Sequence, residues 1–210
     1  MRVIAIDGPS GSGKSTVART VAERLGLRYL DTGAMYRAVA FAALRRGVDP
    51  ADEGPVARLV EDVEIDQRDD GTVCVDGVDA TIEIRGPEVT RAVSAVAANP
   101  AVRKEMVRRQ REWIEHHGGG VVEGRDIGSV VWPDAELKVY LSADLSVRAG
   151  RRQKEVSDLE YEQVAADMAR RDTLDSTRET SPLQQPGDAV VIDTTELGIE
   201  EVVEQVLSRL

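Results

Sequence analysis

The chain has 210 residues, a single cysteine and a formal net charge of −11. That length accommodates one domain with an insertion or two small ones. The charge argues against sequence-independent binding to a nucleic acid polymer or an anionic membrane surface, and Cys74 alone can form neither an internal disulfide nor a Cys-based zinc site. Hydrophobic residues make up 41% of the chain but aromatics only 3%, so the core is built from Val, Leu, Ile and Ala. No run of 18 apolar residues exists, and the apolar stretch at residues 3–6 is too short for a signal peptide, so a cytoplasmic location is expected.

Val3-Ile4-Ala5-Ile6 reads as a buried strand. It runs into Gly8-Pro9-Ser10-Gly11-Ser12-Gly13-Lys14-Ser15, which fits G-x-x-x-x-G-K-[ST] without a mismatch. Val17, Ala18, Val21, Ala22 and Leu25 follow at helical spacing, and Gly26 closes the helix. Strand, glycine-rich turn and helix N-terminus in that order make a phosphate-binding P-loop. Its N–H groups face inward and the helix dipole adds partial positive charge. Residues 8–15 together with Thr16 are the expected contacts to a nucleoside triphosphate. Lys14 reaches the β- and γ-phosphates, and the Ser15 hydroxyl is the expected Mg²⁺ ligand.

Arg28-Tyr29-Leu30 reads as a short second strand, and Asp31-Thr32-Gly33 opens a helix running through Met35, Val39 and Ala42 to Gly47. A shorter helix carries Val56, Leu59 and Val60. The period then changes to two. Val63, Ile65, Val73 and Val75 alternate with polar residues around the turn signals Asp70-Gly71 and Asp76-Gly77, which predicts a small antiparallel sheet. Pro87 starts a helix with Val89, Val93 and Val96. A basic helix over 101–117 follows, its arginines read mostly as a solvated, ion-paired face. The parallel pattern resumes at Val121-Val122, before Glu123-Gly124-Arg125-Asp126, and again at residues 137–141. A helix with Arg148, Arg151 and Arg152 leads into a polar loop at 153–159. The next helix ends at Arg171, and residues 172–188 read as irregular. Residues 189–192 form the last strand, and Ile199, Val202, Val203 and Val206 mark an amphipathic final helix.

Five apolar strands separated by helices predict an α/β fold, a five-stranded parallel sheet flanked by helices with a small antiparallel β insertion. The expected organisation is a core of residues 1–61 and 118–210, an insertion at 62–117 and a short lid at 149–158. In such a sheet ligands lie beyond the carboxyl ends of the strands. A triphosphate site there fits a switch GTPase, a motor ATPase, a regulatory nucleotide-binding module or a small-molecule kinase. No Asn-Lys-x-Asp occurs, and no long strand ends in the acidic pair of motor ATPases. Arginines and acids do recur near the strand ends: Tyr36 and Arg37, Arg125 and Asp126, then Arg171, Asp175 and Arg178. Several arginines at one site suggest a second substrate that also bears phosphate.

These residues resemble the bacterial cytidylate kinases, members of the P-loop nucleoside monophosphate kinase family. The resemblance rests on Ile6-Asp7-Gly8 with the P-loop, Leu30-Asp31-Thr32-Gly33-Ala34-Met35-Tyr36-Arg37, Glu83-Ile84-Arg85 and Ser94-Ala95-Val96-Ala97. It continues through Pro100-Ala101-Val102-Arg103, Glu123-Gly124-Arg125-Asp126-Ile127-Gly128, Val131-Trp132-Pro133-Asp134-Ala135 and the run from Arg171 to Leu183, so it covers essentially the whole chain. It implies ATP-dependent phosphorylation of CMP and dCMP, with Mg²⁺ accompanying ATP. At matching positions it implies catalytic roles for Lys14, Arg125 and Arg178. Contacts to CMP would come from Thr32, Tyr36, Arg37, Ser94, Arg103, Arg125, Asp126, Arg171 and Asp175, with Ser94, Arg103 and Asp126 reading cytosine. Arg151 and Arg152 would close over ATP from the lid, which looks a few residues shorter than in many family members. The expected partners are these small molecules alone, and the expected state is a monomer. The alternative is another P-loop kinase, such as one using UMP as acceptor.

Overall fold

The apolar run near the N-terminus forms β1, Arg2–Asp7, and its neighbours define the larger sheet. β1 pairs in parallel with β6, Gly119–Gly124, placing Ile4 opposite Val121 and Asp7 opposite Gly124. On its other side β1 pairs in parallel with β7, Leu137–Ser142, which in turn pairs with β8, Val190–Asp193. With β2, Tyr29–Asp31, at the edge, the order of this five-stranded parallel sheet is β2-β6-β1-β7-β8. The computed structural model describes residues 1–155 and 160–210.

Strands covered on both faces must be apolar on both faces, which is why β1 reads as a continuous hydrophobic run. Helix α1, Lys14–Leu25, contributes Val17 and Val21 to the cover, and α8, Ile199–Leu207, contributes Val202, Val203 and Val206. These pack with Ile4, Ile6, Val139 and Leu141 in one core. Each such side chain, fully buried, stabilises the fold by about 1.5–3 kcal/mol. A smaller cluster joins Ala149 on α6, Leu145–Glu155, to Val164 and Met168 on α7, Tyr161–Thr177.

The chain divides by packing into two units, Met1–Tyr29 with His116–Leu210, and Leu30–Glu115. The second unit holds α2 (Thr32–Arg45), α3 (Glu53–Asp62), α4 (Pro87–Ala98) and all but the last residue of α5 (Pro100–His116). It also holds a three-stranded antiparallel sheet of β3 (Ile65–Gln67), β4 (Val73–Val75) and β5 (Val78–Asp79). Both reversals fall on the Asp-Gly pairs, with φ of +50° at Asp76, +75° at Gly77 and +88° at Gly71. This unit therefore takes in α2 and α3 as well as residues 62–115.

One expectation fails. Residues 172–177 are not irregular, because α7 continues to Thr177 and Arg178 is its C-cap. The sequence Asp172-Thr173-Leu174-Asp175-Ser176-Thr177 is rich in residues that favour caps and turns. Tertiary ion pairs from Asp172 and Asp175 hold it helical, while Ser176 and Thr177 turn their hydroxyls back onto the Thr173 carbonyl. Of the supposed loop at 153–159, residues 153–155 belong to α6, and 156–159 lie outside the described residues, as does the end of the 149–158 lid.

Candidate active site

The P-loop opens where β1 ends. Gly8 has φ +148°, and a Cβ there would lie 2.1 Å from the Leu141 carbonyl oxygen, so no other residue fits. Gly13, at φ +88°, is the N-cap of α1 and turns the chain into the helix. Lys14 is 6% exposed, and its Nζ donates to the Pro9 carbonyl at 2.8 Å. The loop is held from outside by two further elements. Arg148 on α6 donates to the Ser10 carbonyl at 3.1 Å, to the Ala143 carbonyl at 2.9 Å and to Asp172 of α7 at 2.6 Å. Thr194, just past β8, donates to the Ser12 carbonyl at 3.1 Å and accepts from Arg151 at 2.9 Å.

Ser15 stands one residue into α1, and its Oγ donates to Glu123 Oε2 at 3.0 Å. The other Glu123 oxygen accepts from the Tyr29 phenol, and the Arg19 guanidinium sits 5.4 Å over the Tyr29 ring. A hydroxyl beside a buried carboxylate is a donor set that suits Mg²⁺, which is held through one or two protein oxygens and completes its shell with phosphate and water. Among the described residues no group of three or more His, Cys, Asp or Glu is placed to hold a metal ion alone.

Beyond β6 the same unit gathers charge. Arg125 donates from Nε to Asp175 at 3.0 Å, and Arg171 and Arg178 approach the same carboxylate at 4.0 and 3.9 Å. Arg178 also stands 3.7 Å from Asp126. Several guanidiniums converging on one place are groups suited to an anionic ligand, although Asp126, Asp172 and Glu123 also act on them. Burial pushes the Asp175 carboxyl up, but Arg125, Arg171 and Arg178 outweigh it and hold it below the usual range. Burial, with Arg125 adding to it, brings Arg171 down to about 10.

The second unit has its own polar set on α2 and α5. Arg37 is 9% exposed and donates from Nη1 to the Ile84 carbonyl at 3.0 Å and to Thr90 Oγ1 at 2.9 Å. Arg103 is 1% exposed, with its guanidinium 5.6 Å from the centre of the Tyr36 ring. Asp31 accepts from the Ala34 N–H as the α2 N-cap, and Arg85 pairs with its second oxygen at 3.1 Å. The Arg103 guanidinium over the buried Tyr36 ring is a cation–π contact within this unit.

A sequence model of the family described as Cytidylate kinase matches residues 4–210. The chain belongs to the cytidylate kinase family. A cytidylate kinase of Geobacillus kaustophilus (strain HTA426) is 52% identical over 97% of this chain and 94% of its own length. One from Mycolicibacterium paratuberculosis (strain ATCC BAA-968 / K-10) is 50% identical over 96% and 92%. Among solved structures, a gluconokinase from Sinorhizobium meliloti 1021 aligns at a TM-score of 0.54 over 99% of this chain and 90% of its own, with 16% identity. A shikimate kinase from Acinetobacter baumannii aligns at 0.51 over 99% and 92%, also with 16% identity, and both likenesses speak to fold alone.

In this cytidylate kinase family member the expected residues fall into distinct groups. Lys14 and Ser15 sit at the P-loop, and Arg125, Asp126, Arg171, Asp175 and Arg178 form one cluster. Tyr36 and Arg103 meet in the second unit, near Arg37 on α2, while Thr32 is buried at the start of that helix and Ser94 is half-buried on α4. Thr16 is exposed on the first turn of α1. Arg151 is engaged by Thr194, through its side chain and its carbonyl, and Arg152 is half-buried beside it in sequence. Sequence reasoning assigned no role to Asp7, Tyr29, Glu123, Arg148 or Thr194. Asp7 and Glu123 stand at the ends of strands, where a site is expected, and that is the available signal.

Proposed function

We propose that this chain transfers the γ-phosphoryl group of ATP to CMP and dCMP, giving CDP and dCDP. The carrying observation is that one unit of a cytidylate kinase family chain holds both a P-loop and a cluster of three half-buried arginines converging on Asp175.

The nucleophile would be a phosphate oxygen of the acceptor, already anionic at neutral pH, so no general base is needed. Catalysis is then positioning and charge neutralisation. The P-loop amides and Lys14 receive the β- and γ-phosphates. Ser15 and Glu123 would hold Mg²⁺, which when bound neutralises and orients the donor phosphates. Arg125 and Arg37 grip the acceptor phosphate, Arg178 leans on the group in transit, and Asp175 with Arg171 holds the ribose. Asp126 accepts from the cytosine N4 amine while Arg103 donates to N3 or O2, and Ser94 adds a hydroxyl. Uracil presents a carbonyl where cytosine presents an amine, so Asp126 would face an acceptor. A site built this way can discriminate by roughly 10⁴-fold. Arg151 and Arg152 would act from the lid side. The chain is read as a cytoplasmic monomer; among the described residues no helix is long and apolar enough to cross a membrane.

An acceptor panel of CMP, dCMP, UMP and AMP, followed by ADP formation, tests this reading. CMP and dCMP should dominate, Lys14→Ala should abolish turnover with every acceptor, and Asp126→Ala should weaken CMP use far more than UMP use. UMP or AMP turned over well above CMP would overturn the assignment of the base.

A further inference from the structure

Asp7 is a buried acid for which phosphoryl transfer has no direct use. It ends β1, one residue before the P-loop, and is 2% exposed. Its Oδ1 accepts the Ile127 N–H at 2.9 Å and its Oδ2 accepts the Gly128 N–H at 2.8 Å. The strand register sets the Asp7 backbone opposite Gly124. The segment leaving β6 is therefore fastened to one residue twice, by the ladder at Gly124 and by the carboxylate at residues 127 and 128. Only Arg125 and Asp126 lie between the two fastenings.

Asp126 leads into a single π-helical turn, Ile127–Val131, started by its own carbonyl, which accepts from the Val131 N–H at 3.1 Å and the Val130 N–H at 2.9 Å. Such turns are poor at holding themselves, and their leading N–H groups have no partner within the turn. Asp7 takes both. On the other side, the Arg125 and Asp126 side chains reach Asp175 and Arg178 at the end of α7. The two residues are thus set by β1 through their backbone and by α7 through their side chains.

We propose that Asp7 is a positioning residue for the acceptor nucleotide, fixing the peptide around Arg125 and Asp126 so that they select a cytosine-bearing monophosphate. This rests on the assignment of Arg125 and Asp126 to CMP. A carboxylate offers two acceptors to two N–H groups. Asparagine offers one, and turns an NH₂ toward the other donor. The acid is retained against a burial that pushes it up to about 6, opposed by the two N–H groups and by Lys14, with Asp126 and the Tyr140 phenol also facing it.

The experiment is Asp7→Asn, with kinetics varied separately in ATP, CMP and UMP. KM for CMP should rise about tenfold or more and the CMP-over-UMP ratio of kcat/KM should fall by a similar factor, while KM for ATP stays within about threefold. Equal losses toward ATP and CMP, or an unchanged CMP-over-UMP ratio, would overturn the proposal. Should Asp7→Asn not fold, amide NMR of the wild-type chain decides. The Ile127 and Gly128 signals should titrate together with the Asp7 carboxyl and carry the Asp126 amide with them, and independent behaviour of the Asp126 amide overturns the proposal. A wild-type chain that ignores CMP would instead strike at the assignment of Arg125 and Asp126, which the first arm of the kinetics reveals before any variant is compared.

Discussion

Asp7 and Glu105 pull the pH dependence of stability in opposite directions. Asp7 rises from 3.8 to about 6 on folding, chiefly by burial, so between those values the folded chain binds the extra proton. Stability then falls as pH rises through that window, by up to about 3 kcal/mol. Glu105 goes the other way, down to about 2, because the Arg108 hydrogen bond, with Arg109 adding to it, outweighs the cost of burial. Its contribution is present above the ordinary glutamate value near 4.5 and is lost as pH falls toward 2. Urea denaturation from pH 3 to 8 should separate the two. Asp7→Asn should flatten the curve between about 4 and 6, and Glu105→Gln should reduce stability at pH 7 while changing little near pH 2.

At the scale of elements, α5 shows what a solvated basic face conceals. Sequence groups Arg109 with the exposed arginines of that helix, but its side chain is only 17% exposed. It donates to the Val60 carbonyl at 2.6 Å and the Val63 carbonyl at 2.7 Å, closing the end of α3. Arg109→Ala leaves those carbonyls short of donors and should cost about 1–3 kcal/mol by urea melting. The elements whose signals are local were legible: the P-loop between strand and helix, and the Asp-Gly reversals of the small sheet. The end of α7 was not, because its composition favours a loop and its support comes from Arg125 and Arg148, which are distant in sequence. The same reason hid Asp7, whose partners lie 120 and 121 positions away. Arg125, Asp126, Arg171, Asp175 and Arg178 could be picked out as charged residues near strand ends, but not the convergence of three arginines on Asp175.

At the scale of the molecule, the chain carries a net charge of −11, and Arg125, Arg148 and Arg178 are turned inward against Asp172 and Asp175 while other arginines stay at the surface. An acidic exterior keeps copies apart. Light scattering across a concentration series should return the mass of one chain, 22.8 kDa, with and without nucleotides. A constant mass of two chains would overturn the monomer reading. The central place of β1 also bears on synthesis. This strand precedes the other strands of the sheet in the chain yet lies in its middle, between β6 and β7, whose last residue is Ser142. At about 5–20 residues per second, its apolar run waits roughly 7–27 s for both neighbours. Meanwhile the contiguous stretch Leu30–Glu115, with its local hairpins and helices, is complete. The unit with the P-loop is thus the last to close, and Val3, Ile4 and Ile6 are the residues most exposed to chaperones or to misassembly during the nascent chain's growth.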